Sequence, residues 1–181
     1  MRLAGSHRAR WLPPDVSPRL VLLHTFAHLL MRQLSFSAGY ASSALRERLY
    51  AADPADTAPT AGVLIYTAAG DAEGTLGGLA RLGEADRLVP ALAATLGAAR
   101  WCSSDPVCRE ATAQGPDGLS LAACHACALA SETSCVLGNV LLDRALVIDD
   151  DLGFLREPLT ALLDTSTLPD TGPPSDTRTG P

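Results

Sequence analysis

After Ser17, apolar residues recur at intervals of three and four. Leu20, Leu23, Ala27, Leu30, Met31 and Leu34 fall on one face of a helix. Ser17 offers a capping hydroxyl, and Pro18 suits the first helical position. Gly39 ends the run. A second helix is predicted from a cap at Ser42 or Ser43 through Leu45, Leu49 and Tyr50, with Glu47 near its first turns. Ala52–Thr60 carries Asp53, Pro54, Asp56 and Pro59 and reads as a loop. Val63–Thr67 is a short β-prone run that suits a buried strand. A Gly-rich turn follows from Gly70 to Gly78. The spacing of Leu88, Leu92, Leu96 and Ala99 predicts a helix over residues 84–100, with Pro90 marking a late start or a kink. Leu141, Leu142, Ala145 and Leu146 predict another over residues 137–147, and a short apolar stretch covers Phe154–Leu163. Residues 1–17, with Pro13 and Pro14, read as a flexible basic arm or the edge of something larger. Residues 18–164 read as the folded domain. The Ser, Thr, Pro, Asp and Gly of 165–181 read as a disordered tail. The fold class expected is α/β: a small sheet packed by helices.

Composition narrows this picture. In a chain of 181 residues, 47% hydrophobic content supports a core, and 4% aromatic content makes that core mostly Leu, Ala and Val. The net charge of −6 argues against an electrostatic grip on nucleic acid by the whole chain. Its distribution is uneven: residues 1–48 hold seven arginines against Asp15 and Glu47, and the remainder seven against eighteen acids. The basic segment is either a solvated face or a contact for phosphate or an acidic partner. Leu20–Leu34 is too short and too polar to span a bilayer and does not look like a signal peptide, so a cytoplasmic protein without membrane contact is expected. Thiols stay reduced there, and clustered thiols then favour metal over disulfides.

The strongest chemical signal is Cys102-x5-Cys108-x15-Cys124-x2-Cys127-x7-Cys135. A CxxC knuckle turns two thiolates onto one tetrahedral ion, and a second pair closes the site. Such a site has no open coordination position and holds structure rather than activating water. Cys102, Cys108, Cys124 and Cys127 are the favoured zinc ligands. The competing set exchanges Cys102 or Cys108 for Cys135, and unligated thiols or a redox CxxC are the other readings. His125, inside the knuckle, is expected to face outward.

Weaker signals surround it. His24 and His28 stand one helical turn apart, a spacing that can bind metal. The metalloprotease pattern needs Glu in second place, and Thr25 is there, so a pair of helix-flank histidines bonded to neighbouring loops is the plainer reading. Gly70–Gly78 matches neither GxGxxG nor a P-loop, and Asp71 and Glu73 would repel phosphate. It reads as a tight turn or as a loop offering its acids to a partner. No nucleophile elbow or carboxylate pair stands out, so no catalytic or cofactor-binding residue is assigned.

Several of these strings together resemble a known family. Ala123-Cys124-His125-Ala126-Cys127, Ser131–Cys135, Asn139 and Leu142–Leu146 look like the cysteine segment of the MrfA-like zinc-binding domain, which ends several superfamily 2 helicases. Leu23–His28, Ser43–Tyr50, Glu73–Gly78 and Trp101–Cys108 resemble the version found in the DrmB proteins of the DISARM anti-phage system. The resemblance covers roughly residues 18–148. It implies an α/β zinc domain attached to, or partnering with, a DNA-translocating helicase such as a DrmA-like one. DNA would be reached through that assembly, and no catalysis is implied within the domain.

Overall fold

The computed structural model describes residues 5–53, 55–68 and 78–163. The Gly-rich segment with Asp71 and Glu73 and the 165–181 tail lie outside them. Helix α1 (Pro18–Ala38) opens and closes where the cap residues place it. Ser17 Oγ accepts the Leu20 N–H at 3.2 Å, and Gly39 takes the left-handed conformation (φ 72°). The helix packs against α3 (Ala85–Ala99), the hairpin and α4 (Ala145–Ile148). Being surrounded, it buries His24, Thr25, His28 and Leu29 as well as Leu20, Ala27, Leu30, Met31 and Leu34 of the predicted stripe, with Leu23 half-buried. The histidines are therefore core residues, not flank residues.

The expected second helix is a strand. β1 (Leu45–Ala51) pairs antiparallel with β2 (Ala61–Thr67) in a two-stranded sheet, with Glu47 opposite Ile65 and Arg48 opposite Leu64. Leu45 and Glu47 turn inward, while Arg48 and Tyr50 face out. The four-residue interval between Leu45 and Leu49 fits both a helix face and every second inward position of a strand. The charged Glu47 between them hides the period of two. β2 is half-exposed rather than buried, since only one sheet face is covered.

α2 (Gly78–Leu82) leads into α3, which accommodates Pro90 internally. Residues 137–144 do not form the predicted helix; only Ala145–Ile148 is helical, followed by α5 (Arg156–Leu163). Gly138, Asn139 and Leu141 all have positive φ. The backbone of 141–144 instead bonds to the 119–122 segment: Leu141 N–H to Leu119 O at 3.2 Å, Leu121 N–H to Leu142 O at 2.9 Å, and Arg144 N–H to Ala122 O at 3.0 Å. Residues 5–17 lie against the domain, with a 3-10 turn at Ala9–Trp11 and Leu12 buried beside Leu119 and Val140. No described helix is long and apolar enough to cross a membrane.

The small sheet packed by helices is the α/β arrangement expected, and the core divides around it. Leu30, Met31, Leu34, Tyr40 and Leu45 fill the space between α1 and the hairpin. Leu29, Leu96, Ala99, Leu142 and Val147 pack around the cysteine segment. That segment has little regular structure among the described residues, so its order must come from something other than helix or sheet ladders.

Candidate metal centre

Two tight turns build the cysteine cluster. Cys102 follows the end of α3, and the chain then winds back: Cys102 O accepts the Asp105 N–H (2.9 Å) and Ser104 O accepts the Cys108 N–H (2.9 Å). Asp105 Oδ2 in turn accepts the Cys102 N–H at 2.9 Å. In the knuckle, Cys124 O gathers the N–H groups of Cys127 (3.1 Å) and Ala128 (2.9 Å). The four sulfurs of Cys102, Cys108, Cys124 and Cys127 lie within 4.8 Å of one another. Individual separations are 3.5 Å for Cys102–Cys124, 3.7 Å for Cys108–Cys127 and 3.8 Å for Cys124–Cys127. Zn–S bonds of about 2.3 Å in a tetrahedron give S···S of about 3.8 Å, and a disulfide needs about 2.05 Å. The spacing fits four thiolates around one ion, and all five cysteines are free. His125 is exposed, as expected for a residue inside the knuckle.

The electrostatics point the same way. Burial pushes the Cys127 thiol up, and the neighbouring sulfur charges add to it. Burial raises Cys108 as well. At Cys124 burial is overridden by the Ala126 N–H and the other thiols, which bring it down to about 7. Four thiolates this close repel one another, and a divalent cation at their centre inverts that balance. Arg144, 3% exposed, supplies further positive charge behind the cluster. Its guanidinium grips both Asp105 oxygens at 2.6 and 2.9 Å and donates to Ala99 O at 2.8 Å, tying the α3 end to the Cys102 turn.

Cys135 is elsewhere. Its sulfur lies 3.2 Å from His24 Nε2, and Glu47 Oε1 is 3.3 Å from His24 Nε2 and 3.5 Å from His28 Nε2. The structure thus joins the two histidines to the spare thiol and to an acid that the sequence reading placed on a helix. Burial lowers His28, but the closeness of Cys135 and Glu47 overcomes it and raises it to about 9. The same contacts outweigh burial at Glu47, lowered to about 2, and at Cys135, lowered to about 6. No local spacing reveals this group, whose members come from α1, β1 and the loop after residue 131. The available signals were two histidines on a core-facing helix, a charge at an inward strand position and one thiol too many.

Comparison with known proteins agrees with the cluster. A family model for the MrfA Zn-binding domain matches residues 26–128, a span that contains all four clustered cysteines. The DISARM protein DrmB of Bacillus paralicheniformis is 46% identical over 128 residues, covering 71% of this chain and 22% of that protein. The chain thus spans about a fifth of the length of the curated relative it matches. With four converging thiols, a matching family model and that level of identity, the chain belongs to the MrfA Zn-binding domain family, and zinc is the ion its four-cysteine cluster fits.

Proposed function

We propose that this domain is a non-catalytic accessory module of a cytoplasmic DISARM-type anti-phage or DNA-repair helicase assembly, its zinc held by Cys102, Cys108, Cys124 and Cys127. The observation that carries the reading is the closed set of four thiols. A four-thiolate ion has no position left for water or substrate, so the metal acts by organising residues 101–148. Zinc binding of this kind contributes on the order of 10 kcal/mol to folding. The identity to DrmB supports a partner of the DrmA-like helicase type, with DNA reached through that partner. The test is co-purification of the full chain with a DrmA-like helicase from the same source. Stable capture that survives nuclease treatment is expected. A chain that binds no helicase, or that turns over substrate alone with zinc bound, contradicts the reading.

A second reading is favoured by one surface. The outer sheet face carries Arg48 opposite Leu64 and Arg46 opposite Tyr66, with Tyr50 beside them. Leu64, Tyr50 and Tyr66 are all exposed. Cationic and aromatic side chains alternating on a sheet suit stacking and phosphate contact with single-stranded DNA. Anisotropy with a tailed oligonucleotide should then show binding that weakens steeply with salt and on Tyr66→Ala. No binding at low salt excludes it.

A further inference from the structure

We propose that His24, His28, Glu47 and Cys135 form a second structural metal site for a zinc-class divalent ion, separate from the four-cysteine centre. The donor atoms lie within 4.8 Å of one another. A tetrahedral ion with Zn–N and Zn–O bonds of about 2.05 Å and a Zn–S bond of about 2.3 Å requires N···O of about 3.3 Å and N···S of about 3.6 Å. The observed separations are 3.3 and 3.5 Å for N···O and 3.2 Å for N···S.

The outer contacts of the ligands are those of metal-bound residues. His28 Nδ1 faces Ala128 O at 2.8 Å and His24 Nδ1 faces Leu141 O at 3.3 Å. A carbonyl can only accept, so each Nδ1 carries a proton, and each Nε2 is the ring atom turned into the cluster and left to bind a cation. Glu47 Oε1 also accepts the Val136 N–H (3.1 Å), and Cys135 Sγ accepts the Asn139 N–H (3.1 Å). With both imidazoles neutral, as metal binding requires, the interior of the group is lined by acceptors. Two of its atoms, His28 Nε2 and Glu47 Oε2, are buried without any hydrogen-bond partner. His24, His28 and Glu47 are 0%, 2% and 1% exposed, where an unsatisfied polar atom costs about 1–3 kcal/mol. A divalent cation meets all four donors at once. Two neutral imidazoles, one carboxylate and one thiolate around it also sum to zero charge, as a sealed interior demands.

The donor set selects the ion. Imidazole and thiolate exclude magnesium and calcium and suit zinc. With four protein ligands, three of them almost completely buried, the site is structural. It fastens α1, β1 and the 135–139 loop to one another, whereas the four-cysteine centre fastens the 102–127 segment.

Metal analysis of the full chain, purified under reducing conditions with zinc in the medium and then desalted, tests this. Two zinc ions per chain are expected, falling to one in Cys135→Ser and in Glu47→Gln, and to one of the other kind in Cys124→Ser. One zinc in the parent protein, or two retained in Cys135→Ser, overturns the proposal. Should the variants fail to fold, anomalous scattering from parent crystals at the zinc edge decides instead. A second peak within bonding distance of His28 Nε2 and Cys135 Sγ supports the site, and a lone peak among the four cysteines refutes it. Undiminished zinc in Cys124→Ser would instead refute the four-cysteine reading, so the two claims fail separately.

Discussion

Arg144→Ala isolates the part of the fold that aims Cys102 at the metal. Arg144 is buried and holds three acceptors: both oxygens of Asp105 and the Ala99 carbonyl. Asp105 in turn holds the Cys102 N–H. Truncation leaves the Asp105 carboxylate without its cation in a site where its side chain is 17% exposed. Removing one partner of a buried pair costs about 3–5 kcal/mol, and the residual exposure of Asp105 places the loss near about 3 kcal/mol. Against a typical total of about 5–15 kcal/mol this is a large fraction, and it corresponds to a fall in Tm of about 6–12 °C for a chain of this size. Guanidinium denaturation of zinc-saturated parent and variant, with unchanged slopes, measures it. Arg144→Lys should recover only part of the loss, because an ammonium cannot grip both carboxylate oxygens and the carbonyl together. A double-mutant cycle with Asp105→Asn should give a coupling of about 2 kcal/mol. A variant within about 1 kcal/mol of the parent, or zero coupling, would refute the reasoning.

Other consequences follow from the same contacts. Asn139 closes a two-bond bridge to the Ala130 N–H (3.0 Å) and Ala130 O (2.9 Å) at φ 59°. Asn139→Ala should cost about 2–3 kcal/mol by denaturation, and Asn139→Gly less because glycine accepts that backbone conformation freely. Thr25 Oγ1 donates to Val21 O and accepts the Asp143 N–H at 2.9 Å, so Thr25→Val should cost about 1–3 kcal/mol by leaving a buried amide without a partner. Zinc binds thiolates, and Cys124 is lowered only to about 7, while burial raises Cys108 and Cys127. Protons therefore compete with the metal, and zinc affinity measured against a chelator should fall steadily from pH 8 to about pH 5. Affinity that rises on acidification would contradict this sign.

The parts of the molecule legible in the sequence are those governed by local rules. Ser17, Pro18 and Gly39 mark α1 because capping depends on neighbours a few residues away. The apolar interval from Leu88 to Ala99 marks α3 for the same reason. The CxxC knuckle was readable because metal ligation imposes short, stereotyped spacings, whereas its two partners stayed open among Cys102, Cys108 and Cys135 until the fold clustered the first two. β1 was not, and the cause is specific: its inward row is Leu45, Glu47 and Leu49, and the middle member is an acid committed to the histidines. A pattern rule fails where a polar residue is buried for its chemistry. The leucine spacing of residues 137–144 looks helical, yet Gly138, Asn139 and Leu141 have positive φ, and Leu141, Leu142 and Arg144 bond with the 119–122 backbone. That pairing is tertiary, and no window of sequence contains both halves. The joining of His24, His28, Glu47 and Cys135 is hidden for the same reason.

The central claim is that the four-cysteine centre is closed, and cadmium-113 NMR of the cadmium-substituted chain tests it most directly. The shift of the metal nucleus moves downfield with each thiolate bound, and separate sites give separate signals. One resonance at the four-thiolate extreme, unmoved by added partner or DNA and absent in Cys124→Ser, is the predicted result. A most-downfield signal in the two- or three-thiolate range would mean an open or mixed coordination sphere, and would contradict a purely structural metal.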